Sequence, residues 1–491
     1  MKKFSKEQFK TWLLVSLFIL SIALNQQLWE RISLKKVMPD IRQIETLEVE
    51  SNIDIKDTIV DILNPQSFRI NFGGGLHTVF YSDNYGLWQE TLKIFKNEYF
   101  KKKVLIERID KDAWMKARDF RSIEMKFGYT MPVEILREAI EGKTEGIYGK
   151  IQGFDRILVS LTGDNSVYMA DGEENFYLVQ GIDMKNKFSK IIMDIEKNGY
   201  DAYYAFKDLY GIDNEGLMPI ERKDNIEEMQ VIEEIDPMDE VQVEDFAGDF
   251  FGENLDFIRK IRETSGAVTY LYGYGQKALK INDVGVLHYV EDIDNQKASK
   301  NIKVEDAMKV ALLFVSEHGG WANTDAYLKS IKPIEKNNQK GYKFFFGYRL
   351  NGVPVYCSSE AEQKIIDTPI EVDLLGEQVI SYKRLLKKEE IGIKFLERKE
   401  DAMTLSARQV IDMNFELIKN DFSSNIKENK KINKQEILEK VLGRMKEIDI
   451  GYYDNPVQEP NKLISMWIIK TDQVIYYFDA HNGRILSRSK M

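Results

Sequence analysis

Side chains do chemistry when a nucleophile sits beside a base, or when three or four ligands hold a metal. The 491 residues here supply four histidines, His77, His288, His318 and His481, far apart and without metal-ligand spacing. Cys357 is the single cysteine, so no intramolecular disulfide forms, and it reads as a small buried side chain in a strand. No Gly-x-Ser-x-Gly, His-Glu-x-x-His or cysteine–histidine motif occurs, and no Asp-x-Asp-x-Asp-Gly calcium loop. Ser33-Leu34-Lys35-Lys36 and Ser424-Asn425-Ile426-Lys427 match Ser-x-x-Lys but lack the companion Ser-Asp-Asn and Lys-Thr-Gly motifs. Gly73-Gly74-Gly75 suggests a phosphate cradle, yet no Gly-Lys-Ser/Thr comes after it, and Leu76 to Tyr81 reads as a strand rather than a helix start. Glu317-His318-Gly319-Gly320 reads as an ordinary helix C-terminal cap. Among 80 acidic residues no carboxylate pair singles itself out for sugar chemistry. The sequence therefore predicts a protein without catalytic residues, cofactor or metal, whose work is binding.

What has to be positioned is then a surface, and the first positioning element is N-terminal. Lys2, Lys3, Lys6 and Lys10 precede an uncharged core from Trp12 to Leu24. A helix from Phe9 to Trp29 would be about 31 Å long, enough for a hydrocarbon layer of about 30 Å, with Trp12 and Trp29 at its interfaces. The lysines put the short tail inside. We expect residues 1–10 to be a cytoplasmic tail, 11–29 a single transmembrane helix, 30–49 a charged stalk, and the rest an extracytoplasmic body. A secretory signal cut after Ser21-Ile22-Ala23 is the competing reading of the same stretch. If the span is kept, Ser16, Ser21, Asn25 and Gln26 are the polar positions expected on or near a face that meets a partner helix. The formal charge of −11 argues against nucleic acid and against docking on acidic membrane surfaces.

The body reads as α+β, antiparallel sheets with packed helices, in several domains. Residues 50–225 form the first. Phe68–Phe72 and Leu76–Tyr81 alternate around the glycine triplet as a hairpin, and Ser82 or Asp83 caps a helix carrying Trp88, Leu92, Phe95 and Tyr99. Short strands (Arg121–Tyr129, Arg156–Leu161, Ser166–Met169, Phe176–Gln180) then mix with helices Val133–Ile140 and Lys187–Lys197. Residues 226–300 open on an acidic stretch, Ile226 to Ile258, without lysine or arginine, expected as a linker or solvated face. A short helix with Leu255, Ile258 and Ile261 leads into a meander of Ala267–Tyr272, Lys277–Ile281 and Val286–Val290. Residues 301–390 and 391–491 look like one plan used twice, a helix laid across an antiparallel sheet. The first copy has a helix Val304–Glu317 and a turn at Asn351-Gly352; the second has a helix Lys434–Ile448 and a turn at Asn482-Gly483.

A single N-terminal span, the central motif FFGENLDFIRKIRETSGAVTYLYGYGQKALKINDVGVLHY and the C-terminal WIIKTDQVIYYFDAHNGRILSRS together resemble the YycH family. The central pattern is carried by Phe250, Phe251, Ile258, Arg259, Ile261, Gly266, Tyr270, Gly273, Leu279, Gly285, Leu287 and Tyr289; Leu271-Tyr272-Gly273 departs from it, the family more often having Thr-Asp-Gly. Most of Val104 to Ile226 matches only in general pattern. The C-terminal copies are similar to PepSY-type units, which YycI also has. The resemblance implies a non-catalytic, membrane-anchored regulator that pairs with a YycI-like protein and contacts a WalK-type sensor histidine kinase in a two-component system controlling cell-wall metabolism. A PepSY-type inhibitor or folding helper of cell-wall proteases, anchored or secreted, is the alternative it leaves.

Overall fold

Alternating burial builds the first sheet. In β1 (Ser67–Gly73) Phe68 and Ile70 point inward, and β1 turns into β2 (Leu76–Phe80) through Gly73, Gly74 and Gly75. All three have positive φ, 90°, 64° and 78°, the region that side chains with a Cβ avoid, so the expected hairpin depends on the triplet. The Asp83 carboxylate then accepts from Leu87 N–H and Trp88 N–H at 2.6 and 3.0 Å, starting the helix Leu87–Ile94. That helix continues as a π-turn, Phe95–Tyr99, and Trp88, Leu92, Phe95 and Tyr99 are all buried. Burying each such side chain contributes roughly 1.5–3 kcal/mol.

The structure is a computed structural model describing residues 55–100, 104–141, 151–162, 167–182, 184–222, 226–252, 255, 257–298, 300–321, 324–358, 366–390, 404–423 and 434–490. The expected span 11–29, with Ser16, Ser21, Asn25 and Gln26, and the stalk 30–49 lie outside the described residues. No helix among the described residues is long and apolar enough to cross a membrane.

The architecture is α+β. Seven further strands, β3 (Leu105–Ile109), β4 (Ser122–Pro132), β5 (Gly153–Ser160), β6 (Val167–Asp171), β7 (Asn175–Gln180), β8 (Ala202–Ala205) and β9 (Leu217–Glu221), complete the first sheet in the order β3-β7-β6-β5-β4-β1-β2-β8-β9. The helices Val133–Ala139 and Lys185–Asn198 fall where the periodicity placed them.

A second sheet takes the rest of the chain. Its strands are β10 (Met229–Glu233), β11 (Arg259–Arg262), β12 (Val268–Tyr272), β13 (Lys277–Ile281), β14 (Leu287–Glu291), β15 (Asp325–Lys336), β16 (Gln339–Leu350), β17 (Val353–Cys357), β18 (Ile370–Leu375), β19 (Gln378–Arg384), β20 (Lys387–Glu389), β21 (Met445–Asp454), β22 (Lys462–Thr471), β23 (Val474–Asp479) and β24 (Ile485–Lys490). The order is β11-β12-β13-β14-β19-β18-β16-β17-β21-β22-β10-β20, with β15 on β16 and the β23–β24 hairpin on β22. Every described pairing is antiparallel except β17 with β21. That parallel pair joins the two C-terminal copies, and β14 on β19 joins the meander to the first of them.

Three expectations need correction. The acidic stretch is not a linker: it carries β10, held between β22 and β20, and the helix Glu240–Phe251. Asp239 caps that helix by accepting from Val241 N–H and Gln242 N–H, and Gly252, at φ 83°, ends it. Hence no helix carries Leu255, Ile258 and Ile261; Ile261 lies in strand β11, paired with Thr269 of β12. The helix expected over Lys434–Ile448 ends at Gly443, and from Met445 the chain is strand, paired along β22.

The sheets meet through polar contacts. Arg349 bonds Asp325 and the Pro65 carbonyl at 2.8 and 2.7 Å, and Ser82 Oγ donates to Asp325 at 2.6 Å. Tyr81 donates to Asp449 while accepting from Ile450 N–H, both at 3.2 Å. A Cβ on Gly128 would lie 2.4 Å from the Lys329 carbonyl, so this close approach requires glycine.

Candidate docking surface

The central motif folds into one face of the meander. Register places Tyr270 opposite Leu279, Leu279 opposite Tyr289 and Tyr289 opposite Tyr382, a cross-strand row with all four residues buried. Phe250 lies on that row, its ring stacked on Tyr289 with centroids 4.8 Å apart. The helix Val304–Glu317 adds Phe314, 6.0 Å from Tyr289 and 5.4 Å from Tyr382. Phe251 and Ile258 are partly buried against the same core, and Leu287 is fully buried. Gly266, Gly273 and Gly285 all have positive φ, and a Cβ on Gly285 would stand 2.6 Å from the Ile235 carbonyl. Arg259 and Ile261 alone among the motif residues project to solvent, from the edge strand β11.

The helix end Glu317-His318-Gly319-Gly320 is a cap, as its sequence suggests. His318 Nδ1 donates to the Phe314 carbonyl at 2.7 Å, its ring stacks on Phe314, and burial holds its pKa down at about 4. Below it lies a clamp that sequence reasoning missed. Arg384, fully buried, grips both Glu234 oxygens at 2.7 and 2.8 Å and donates to the carbonyls of Gly319 and Gly320 at 3.0 and 2.6 Å. The clamp joins the end of β10, the helix C-terminus and β19. Its two charged partners lie 150 positions apart in sequence, and no local pattern signals them.

Titratable groups elsewhere form no catalytic constellation among the described residues. Among the described residues no three His, Cys, Asp or Glu side chains are placed to hold a metal. Cys357 is half-buried in β17, and burial pushes its thiol well up, which removes the reactive thiolate. His77 is buried against Asn71, itself bonded to Ser122. His288 Nε2 lies 3.3 Å from Ser381 Oγ, but burial lowers the imidazole pKa, and no carboxylate among the described residues bonds its other nitrogen.

The other face of the meander is the exposed one. Of the exposed large apolar side chains among the described residues, Ile261 and Val290 stand on this face and Tyr274 on the β12–β13 turn beside it, whereas Met238 and Val241 lie at the start of the helix Glu240–Phe251, which covers the Tyr270 row. At the end of this face a groove of about 490 Å³ opens between the β12–β13 turn, β14, the tip of β15 and the β18–β19 hairpin. Val290, Ile334 and Ile380 give it apolar walls; Glu291, Asp292, Glu335 and Asp373 line it with carboxylates, against Lys336 alone. Burial raises the Asp373 pKa although Lys343 stands 3.3 Å away.

What fold and surface define is an α+β body of two large, almost wholly antiparallel sheets, with a groove of carboxylates between apolar walls at one end of the meander. No protein-family model and no curated protein matches the sequence. Among solved structures the chain is similar to YycH from Bacillus subtilis, with a TM-score of 0.51 and 14% identity over 87% of this chain and 96% of that one. The chain has the fold of YycH. The C-terminal domain of YpeB from Bacillus megaterium also matches, at 13% identity and a TM-score of 0.25, over 51% of this chain and 97% of that one.

Proposed function

We propose that the chain is a member of the YycH family: a non-catalytic regulator, anchored by residues 11–29 with its N-terminus in the cytoplasm and its body outside. It associates with a YycI-like protein and a WalK-type sensor histidine kinase and so modulates the two-component control of cell-wall metabolism. The observation that carries this is a likeness of fold extending over 96% of YycH, together with the central motif Phe250 to Tyr289. An anchor confines the partners to the membrane plane, which raises their effective concentration and lets each contact be weak.

The test is photo-cross-linking in intact membranes from Gln26. Capture of a sensor kinase or a YycI-like chain is expected. Replacing Ser16, Ser21, Asn25 and Gln26 by leucine should reduce capture from a neighbouring position and change kinase output. Unchanged association and unchanged output would reject the polar face as the contact. A mature chain beginning near Leu24, active without its span, would overturn the anchored regulator.

A further inference from the structure

The β12–β13 turn contains a residue that the fold does not need. Tyr274 has φ 60°, left-handed backbone that costs a side chain with a Cβ free energy, and it stands between Gly273 and Gly275, also at positive φ. Its side chain is fully exposed and buries nothing. Asparagine or glycine would relax the turn, so the exposed aromatic ring is kept at a conformational cost that no packing offsets. Gly275 and Gln276, the next residues, form one wall of the groove.

We infer that Tyr274 and the groove form one docking site, and that its occupant is an extended segment of a protein partner carrying arginine or lysine between apolar side chains. The apolar walls, Val290, Ile334 and Ile380, take the apolar positions. Asp292 and Glu335 take the cations: neither makes an ion pair with another described residue, whereas Glu291 is bridged by Lys277 at 3.3 Å and Asp373 by Lys343. An acidic segment would meet these carboxylates as like charges. Tyr274 offers a cationic side chain its ring face, and tyrosine is a residue type that dominates binding energy when it becomes buried at an interface. The assignment deepens the proposed function, since it rests on reading this chain as a docking protein.

The probes are two fluorescein-labelled peptides, Val-Arg-Leu-Lys-Val-Arg and Val-Glu-Leu-Glu-Val-Glu, titrated by anisotropy against the full chain in detergent. The basic peptide should bind saturably and more weakly as salt rises; the acidic one should not bind. Tyr274→Asn should weaken binding at least tenfold while leaving the melting temperature unchanged or higher, because asparagine accepts the backbone conformation. Glu335→Lys, at an exposed hairpin end, should weaken it as well. Equal binding of both peptides, or full affinity in Tyr274→Asn, overturns the proposal. Groove binding without kinase capture at Gln26 would overturn the regulatory reading and leave the groove assigned; the reverse result would overturn the groove alone.

Discussion

Replacing Arg384 by methionine tests whether the clamp holds the end of β10 to β19 and to the C-terminus of the helix Val304–Glu317. Methionine keeps much of the side-chain volume, so the loss is electrostatic rather than a cavity. The guanidinium makes two bonds to Glu234, at 2.7 and 2.8 Å, and one each to the carbonyls of Gly319 and Gly320. Without it, a carboxyl group that is only 8% exposed loses its partner, and two helix-terminal carbonyls lose their donor. Removing one partner of a buried pair costs about 3–5 kcal/mol. Removing both costs less than the sum, since the stranded carboxyl group goes too. Arg384→Met/Glu234→Leu should therefore recover about 1–3 kcal/mol relative to the two single variants added together. Urea unfolding followed by tryptophan fluorescence reads this, because Trp321 adjoins Gly320 and packs on Phe346 with ring centroids 5.2 Å apart. A loss below about 1 kcal/mol for Arg384→Met, or strict additivity in the double variant, would refute the clamp as an energetic unit.

Two further expectations concern stability. Burial, then the nearby Arg69 and Arg118 charges, lower the His77 pKa from 6.5 to about 3. Between those values the unfolded chain binds a proton that the folded chain does not, so stability falls as pH drops through the window, by about 1.4 kcal/mol per unit at most. His77→Gln should flatten the acid limb of a pH–melting curve; an unchanged slope counts against the assignment. A Cβ on Gly341, in β16, would lie 1.8 Å from the backbone oxygen of Leu374 in β18. Gly341→Ala should cost about 3 kcal/mol or more, visible as faster amide exchange in β16 and β18. Exchange as slow as in the parent chain would show that the strands can part without loss.

Elements whose cause is local were legible in the sequence. The helix through Trp88, Leu92, Phe95 and Tyr99 follows from apolar spacing and a carboxylate just ahead of its start, and both sit in one short window. The Asn351-Gly352 hairpin follows from two residues at positive φ, 51° and 76°. Strand β15 was missed because its outer half, Ser330-Ile331-Lys332-Pro333-Ile334-Glu335-Lys336, looks like a polar loop. It is a strand because β16 supplies its partners residue by residue, through a turn of Asn337 and Asn338 at φ 53° and 63°. The acidic stretch misled in the same way. Within the helix Glu240–Phe251 the charges of Glu240 and Glu244 face outward and bind Lys260 at 3.0 and 2.8 Å, while Val243 and Ala247 are buried. Composition therefore reported one side of an amphipathic element as if it were the whole. The groove was hidden for a different reason, since its walls come from four segments between residues 275 and 381 that only the sheet order brings together. Gly273-Tyr274-Gly275 was visible throughout. An aromatic residue between two glycines in a turn carries meaning once its backbone is known to be left-handed and its ring unburied, because only then is there a cost that packing does not offset.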